Sequence, residues 1–172
     1  MQLSKLLIQK TKYKNILIRE FWLLRKNKTI WLIDITDKNL LKNLLPWLMK
    51  LPVNFIILLD EKNFSLNSIK NIAFTDKIEL EKKIGFDFII WDDEVESLEN
   101  YFKYWVVPIV KKDNYLSSIL KEFDAKNYSW NSFLYDELDE FSIFFAVVRY
   151  LENKKFPYDN KNLVKNLLEK YQ

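Results

Sequence analysis

Residues 29–48 read Thr29-Ile30-Trp31-Leu32-Ile33-Asp34-Ile35-Thr36-Asp37-Lys38-Asn39-Leu40-Leu41-Lys42-Asn43-Leu44-Leu45-Pro46-Trp47-Leu48. The first seven form an apolar run that does not alternate with polar residues, the pattern of a strand buried on both faces. Asp37 stands where a helix N-cap belongs. Leu40, Leu41, Leu44, Leu45 and Leu48 then share one helical face. A second buried strand, Val53-Asn54-Phe55-Ile56-Ile57-Leu58-Leu59, follows.

The alternation continues along the chain. A weak helix is expected over 65–71 and a short strand over 72–75. A helix over 76–84 would have Gly85 at its C-cap, where only glycine accepts a left-handed backbone at little cost. Strands follow at 86–91 and 106–110, with helices at 92–104 and 114–123. The acidic first turn of the 92–104 helix suits the helix dipole. After a loop over 124–131 come a short strand at 132–135 and helices at 137–153 and 159–171, divided by Pro157. A short amphipathic helix at 12–20 precedes the first strand. Buried strands alternating with helices in this way specify an α/β fold, a doubly wound parallel sheet with helices on both faces. The expected organisation is one domain over 1–172, with 1–28 as a helical lead-in. Ligands in such folds sit beyond the carboxyl ends of the strands, which directs attention to 34–38, 60–64, 91–96, 111–115 and 135–137.

Composition narrows the chemistry. The chain has no Cys and no His, which excludes thiol catalysis, a Ser-His-Asp triad and histidine-ligated zinc. The remaining tools are carboxylates, Lys and Arg, hydroxyls and backbone dipoles. The net charge is +3, and the 27 basic and 24 acidic residues are interspersed, so no nucleic-acid footprint stands out. No apolar run is long enough to span a bilayer, and the first residues carry no signal-peptide pattern. A cytoplasmic location without membrane association is expected.

Glycine and tryptophan deviate in opposite directions. One Gly and six Trp occur in 172 residues, where an average of about 7% would give roughly twelve glycines. Abundant Lys, Asn, Ile and Phe point to an AT-rich gene, which explains scarce glycine but not abundant tryptophan. The codon UGA, read as Trp in some bacterial lineages and as Gly in others, would explain both. Two readings stay open: a protein rich in tryptophan, or glycine positions occupied by Trp. Under the second, Trp22, Trp31, Trp105 and Trp130 should be poorly accommodated, and Trp105 or Trp130 should show positive φ, crowding or unusual exposure.

Three constellations could carry function. Asp92, Asp93, Glu94, Glu96 and Glu99 open a helix directly after a strand. They suit a catalytic carboxylate or a magnesium ion, against the plainer role of complementing the helix dipole on a solvated face. Lys111-Lys112-Asp113-Asn114-Tyr115-Leu116 joins a strand to an expected helix N-terminus, a natural phosphate site, against the alternative of a capped, solvated loop. Asp34-Ile35-Thr36-Asp37-Lys38 superficially resembles strand-end aspartate sites of phosphotransfer and is read as a capped loop. No glycine-rich phosphate loop is present.

With Trp read as Gly, several segments resemble the C-terminal, nucleotide-sugar-binding domain of starch and glycogen synthases, glycosyltransferases of the GT-B fold. Glu20-Phe21-Trp22-Leu23 is similar to the phenylalanine-glycine-leucine that precedes that domain. Ile30-Trp31-Leu32-Ile33 and 39–46 resemble its first strand and helix, and Phe55-Ile56-Ile57-Leu58 its next strand. Tyr104-Trp105-Val106-Val107-Pro108-Ile109-Val110 resembles its tyrosine-glycine and proline-isoleucine-valine strand. Ser129-Trp130-Asn131-Ser132-Phe133 resembles its glycine-x-glycine-phenylalanine turn.

The resemblance implies retaining glucosyl transfer from a nucleoside-diphosphate glucose to an α-glucan, the acceptor being held only with an N-terminal domain. It implies Asp92 or Glu94 as the carboxylate, and Lys38, Lys111, Lys112, Asn114 and Tyr115 around the donor phosphates. It implies no metal and no further cofactor. The departures are specific. The family's phosphate-binding Arg has no counterpart, and its paired glycines correspond to Asn114-Tyr115. Its cysteine-glycine-leucine is absent. These departures leave a second reading open, a non-catalytic binding or assembly module on the same fold.

Overall fold

The computed structural model describes residues 3–59, 70–92, 99–124 and 126–169. Helix α1 (Leu3–Glu20) leads to β1 (Ile30–Asp34), α2 (Lys38–Leu48), β2 (Asn54–Leu58) and β3 (Ile72–Thr75). Then come a 3₁₀ helix (Leu80–Gly85), β4 (Phe88–Trp91), α3 (Glu99–Phe102), β5 (Val107–Lys111), β6 (Phe133–Tyr135), α4 (Glu140–Lys154) and α5 (Pro157–Glu169). The six strands form one sheet in the order β3-β2-β1-β4-β5-β6. Every pairing is parallel. The expected doubly wound sheet is therefore present, with the four strands expected at 29–35, 53–59, 86–91 and 106–110 at its centre.

Side-chain alternation in the strands feeds two cores. Trp31, Ile33, Phe55, Ile57, Phe88 and Ile90 point to the face covered by α2 and α4. Ile30, Leu32, Ile56, Ile89 and Trp91 point to the face covered by Leu17 of α1 and by Tyr101 and Phe102 of α3. Burial on both sides is why these strands carry no polar phase. Helix α2 starts as the sequence requires: the Asp37 carboxylate accepts from the Asn39 and Leu40 N–H groups at 2.8 and 3.1 Å. All five predicted leucines of α2 are buried.

Local expectations fail at four places. Helix α1 begins at Leu3, well before residue 12. The 76–84 segment forms only the short 3₁₀ helix, and Gly85 has no positive φ. Its lack of a side chain serves close packing instead: a Cβ there would meet Leu17 Cδ1 at 2.7 Å and the backbone of Tyr13 at 3.0 Å. Residues 114–123 form turns rather than a helix. Pro157 is the first residue of α5 rather than a divider outside it, the position that best tolerates its missing N–H. The weak helix expected over 65–71 falls mostly outside the described residues, as do 93–98 of the expected 92–104 helix.

Two helix ends share one geometry. At the end of α1, the Leu23 N–H donates to Ile18 O at 3.0 Å and the Trp22 N–H to Arg19 O at 3.4 Å. At the end of α3, the Val106 N–H donates to Tyr101 O at 3.3 Å and the Trp105 N–H to Phe102 O at 2.9 Å. This double bonding is the Schellman closure, in which the residue after the cap turns left-handed. Trp22 has φ 53° and Trp105 φ 60°. No other non-glycine residue among those described has positive φ.

Candidate functional site at the carboxyl edge of the sheet

The strand order reverses between β1 and β4, and crevices for ligands form at the carboxyl ends of strands at such a switch point. Asp34 ends β1, and Asp92 follows β4 directly. Asp92 is buried. Its Oδ2 accepts from the Thr36 N–H at 2.6 Å and from the Thr36 hydroxyl at 2.8 Å. Its Oδ1 is buried with no hydrogen-bond partner among the described residues. The loop after β1 is thus tied across the switch point to the loop after β4.

Burial, and next the charge of Asp92, pushes the Asp34 carboxyl up to about 6, while Lys83 opposes the rise. Tyr101 also lies near Asp34; burial, and then that carboxylate, raises its phenol.

The remaining predicted residues sit on the same edge but are less tightly gathered. Lys38 is exposed in the first turn of α2. Lys111 is the last residue of β5, and Lys112 lies 3.6 Å from Asp136 in an exposed ion pair. Asn114 is buried and turned inward: its Oδ1 accepts from the Leu116 N–H at 2.7 Å, and its Nδ2 donates to Lys111 O. That turn replaces the helix N-terminus expected at this position. The exposed Tyr115 sets its ring edge-on to Trp91 at 5.6 Å. Glu94 lies outside the described residues. A cavity of about 260 Å³ opens beside Lys112, Tyr135, Asp136 and Arg149. Among the described residues, no group of three or more acids is placed to hold a metal ion.

Sequence reading missed three features. Thr36 is the bridge to Asp92, a role visible only once β1 and β4 are neighbours. Arg149 of α4 pairs with Glu122 at 2.5 Å and donates to Leu134 O, fixing the approach to β6. At the opposite, amino edge, the Lys10 Nζ donates to the carbonyls of Phe86, Tyr104 and Trp105. Asp87 beside it accepts from Lys14 at 2.6 Å and from the Ile30 N–H at 3.0 Å. This network borders a cavity of about 790 Å³. It is larger than the carboxyl-edge cavity, but its Lys10, Lys14 and Asp87 side chains are already hydrogen-bonded. No charged residue in it signals its role by local spacing, because its members lie up to 95 positions apart.

No protein-family model matches the chain, and a search of curated proteins gives no match. Solved structures do match. The catalytic domain of starch synthase IV from Arabidopsis thaliana, bound to ADP and acarbose, superposes with a TM-score of 0.70 at 16% identity, over 92% of this chain and 38% of that one. UDP-GlcNAc 2-epimerase from Neisseria meningitidis, bound to UDP-GlcNAc, gives 0.58 at 16% identity, over 96% and 51%. The spinosyn forosaminyltransferase SpnP gives 0.55 at 15%, over 85% and 41%. The fold is that of a single Rossmann-like half-domain of the GT-B kind. The chain spans between 38% and 51% of the length of these proteins. No helix among the described residues is long and apolar enough to cross a membrane.

Proposed function

We propose that the chain is the donor-binding half of a cytoplasmic GT-B glycosyltransferase resembling glycogen and starch synthases. It would hold a nucleoside-diphosphate glucose and present it to an α-glucan once an acceptor-side domain is joined to it. The observation that carries this reading is the topological switch point, where Asp92 is anchored by Thr36 and its other carboxylate oxygen has no partner among the described residues. The likeness in fold to structures whose descriptions name bound ADP and UDP-GlcNAc supports it.

In this reading Lys111 and Lys112, with Lys38 across the edge, stabilise the departing diphosphate as negative charge builds on it. Asn114 shapes the turn, and Tyr115 lines it. Asp92 or Glu94 takes the carboxylate role toward the sugar. Transfer also needs water excluded and the acceptor oriented, contributions that a facing domain makes.

A second reading is a binding or assembly module that has left catalysis behind. It is favoured by the inward-turned Asn114 amide and by the absence of a helix over 114–123. Two carboxylates at the crevice would also repel a diphosphate.

Calorimetric titration of the 172-residue chain with ADP-glucose separates the two. Saturable binding that is lost in Lys111→Ala/Lys112→Ala supports the donor site. No heat at millimolar ligand selects the assembly module. Glucosyl transfer to glycogen by this chain alone would refute the need for a facing domain.

A further inference from the structure

Three of the six tryptophans stand where the backbone or the core has no room for one. Trp22 and Trp105 are the left-handed residues of the two Schellman closures. That position is ordinarily glycine, because a Cβ in left-handed conformation crowds the following carbonyl. Trp22 gains nothing in return: it is 90% exposed.

Trp31 has an ordinary backbone but a crowded site. Its indole lies 5.1 Å from the Phe88 ring and 6.0 Å from Tyr150. Beside it, the Phe88 and Tyr150 centroids lie 3.4 Å apart at an interplanar angle of 59°. Aromatic pairs normally keep their centroids about 4.5–7 Å apart.

The buried indoles are also chemically out of place. The Nε1–H groups of Trp31, Trp91, Trp105 and Trp130 all lack a hydrogen-bond partner among the described residues. Buried tryptophans usually find one. Trp91 and Trp130 show no further anomaly.

We infer that Trp22, Trp31 and Trp105 occupy glycine positions of this fold, and that the chain made in its cell of origin carries glycine there, specified by UGA. Glycine scarcity then has a cause. Gly85, the one glycine of the sequence, is a position where any side chain would strike α1. The two Schellman closures are the other places where the described fold demands glycine, and both hold Trp. Glycine at 31 would leave Phe88 and Tyr150 room to separate.

Two measurements test the inference. The first is the mass of tryptic peptides 20–25 and 104–111 from protein isolated from its own cells. Glycine masses at 22 and 105 are expected, and tryptophan masses overturn the inference. The second uses the chain with Trp at all six positions. Trp22 is chosen because its exposure leaves only the backbone to respond. Trp22→Gly should raise the thermal midpoint by about 2–4 °C, whereas Trp22→Ala, which keeps a Cβ, should give no comparable rise. A Trp22→Gly midpoint no higher than that of Trp22→Ala would mean that residue 22 is not a glycine position.

Discussion

Lys10 offers a test of how the amino edge of the sheet is held. Its ammonium is buried, with three backbone carbonyls around it and Asp87 nearby. Burial is the largest influence and outweighs the attraction of Asp87, lowering the Lys10 pKa from 10.5 to about 7. In the unfolded chain the group keeps its ordinary value. Below pH 7 both states carry the proton, and the full penalty of burying the charge is present. Between pH 7 and 10.5 only the unfolded state keeps it, so stability rises with pH.

At 1.36 kcal/mol per unit, the whole shift corresponds to about 5 kcal/mol, of which about 2 kcal/mol is recovered between pH 7 and pH 9. Lys83 and Lys154 are lowered in the same direction by burial, so the contribution of Lys10 must be read as a difference. The perturbation is Lys10→Met, which keeps the stem and removes the titrating group. The assay is urea unfolding of both proteins at pH 7, 8 and 9. The stability of the parent should climb relative to Lys10→Met by about 2 kcal/mol over that window. Parallel curves would show that Lys10 does not titrate there and would refute the assignment.

Gly85→Ala should cost about 1–3 kcal/mol in chemical unfolding, because the added Cβ meets the α1 backbone as well as Leu17; a neutral result would mean that α1 can move away freely. Asp34→Asn should gain stability on the parent as pH rises from 4 to 7. A carboxyl raised to about 6 folds without loss only while protonated, and its contribution is lost as pH passes its folded value. A difference that is flat with pH would place Asp34 in water. Asp37→Ala should destabilise by about 1 kcal/mol through loss of the α2 cap, measured by thermal unfolding. ADP-glucose binding, if present, should weaken as salt increases, since Lys112 is an exposed charge; insensitivity to salt would argue against the lysines as phosphate contacts.

The sequence by itself determined the sheet. Buried parallel strands need apolar residues on both faces, so the runs at 30–34, 54–58, 88–91 and 107–111 could be read locally, as could the Asp37 cap. It also determined that Asp92 would stand at a strand end. Of the four tryptophans that the glycine reading singled out, Trp22, Trp31, Trp105 and Trp130, the backbone of Trp22 and Trp105 turns left-handed. Only the tertiary structure decided what those residues meet. The pairing of β1 with β4 made Thr36 the partner of Asp92 and set Asp34 beside it in a partly buried place, where burial first and the charge of Asp92 second raise its carboxyl. The packing of α1 across residue 85 decided that Gly85 serves close approach rather than a left-handed turn. The folding of 114–123 into turns, drawn in by Asn114 bonding to Lys111 and Leu116, removed the helix that local pattern had suggested. Interactions between residues tens of positions apart leave no periodic trace in a sequence, and it is these that set the charge and shape of the carboxyl edge.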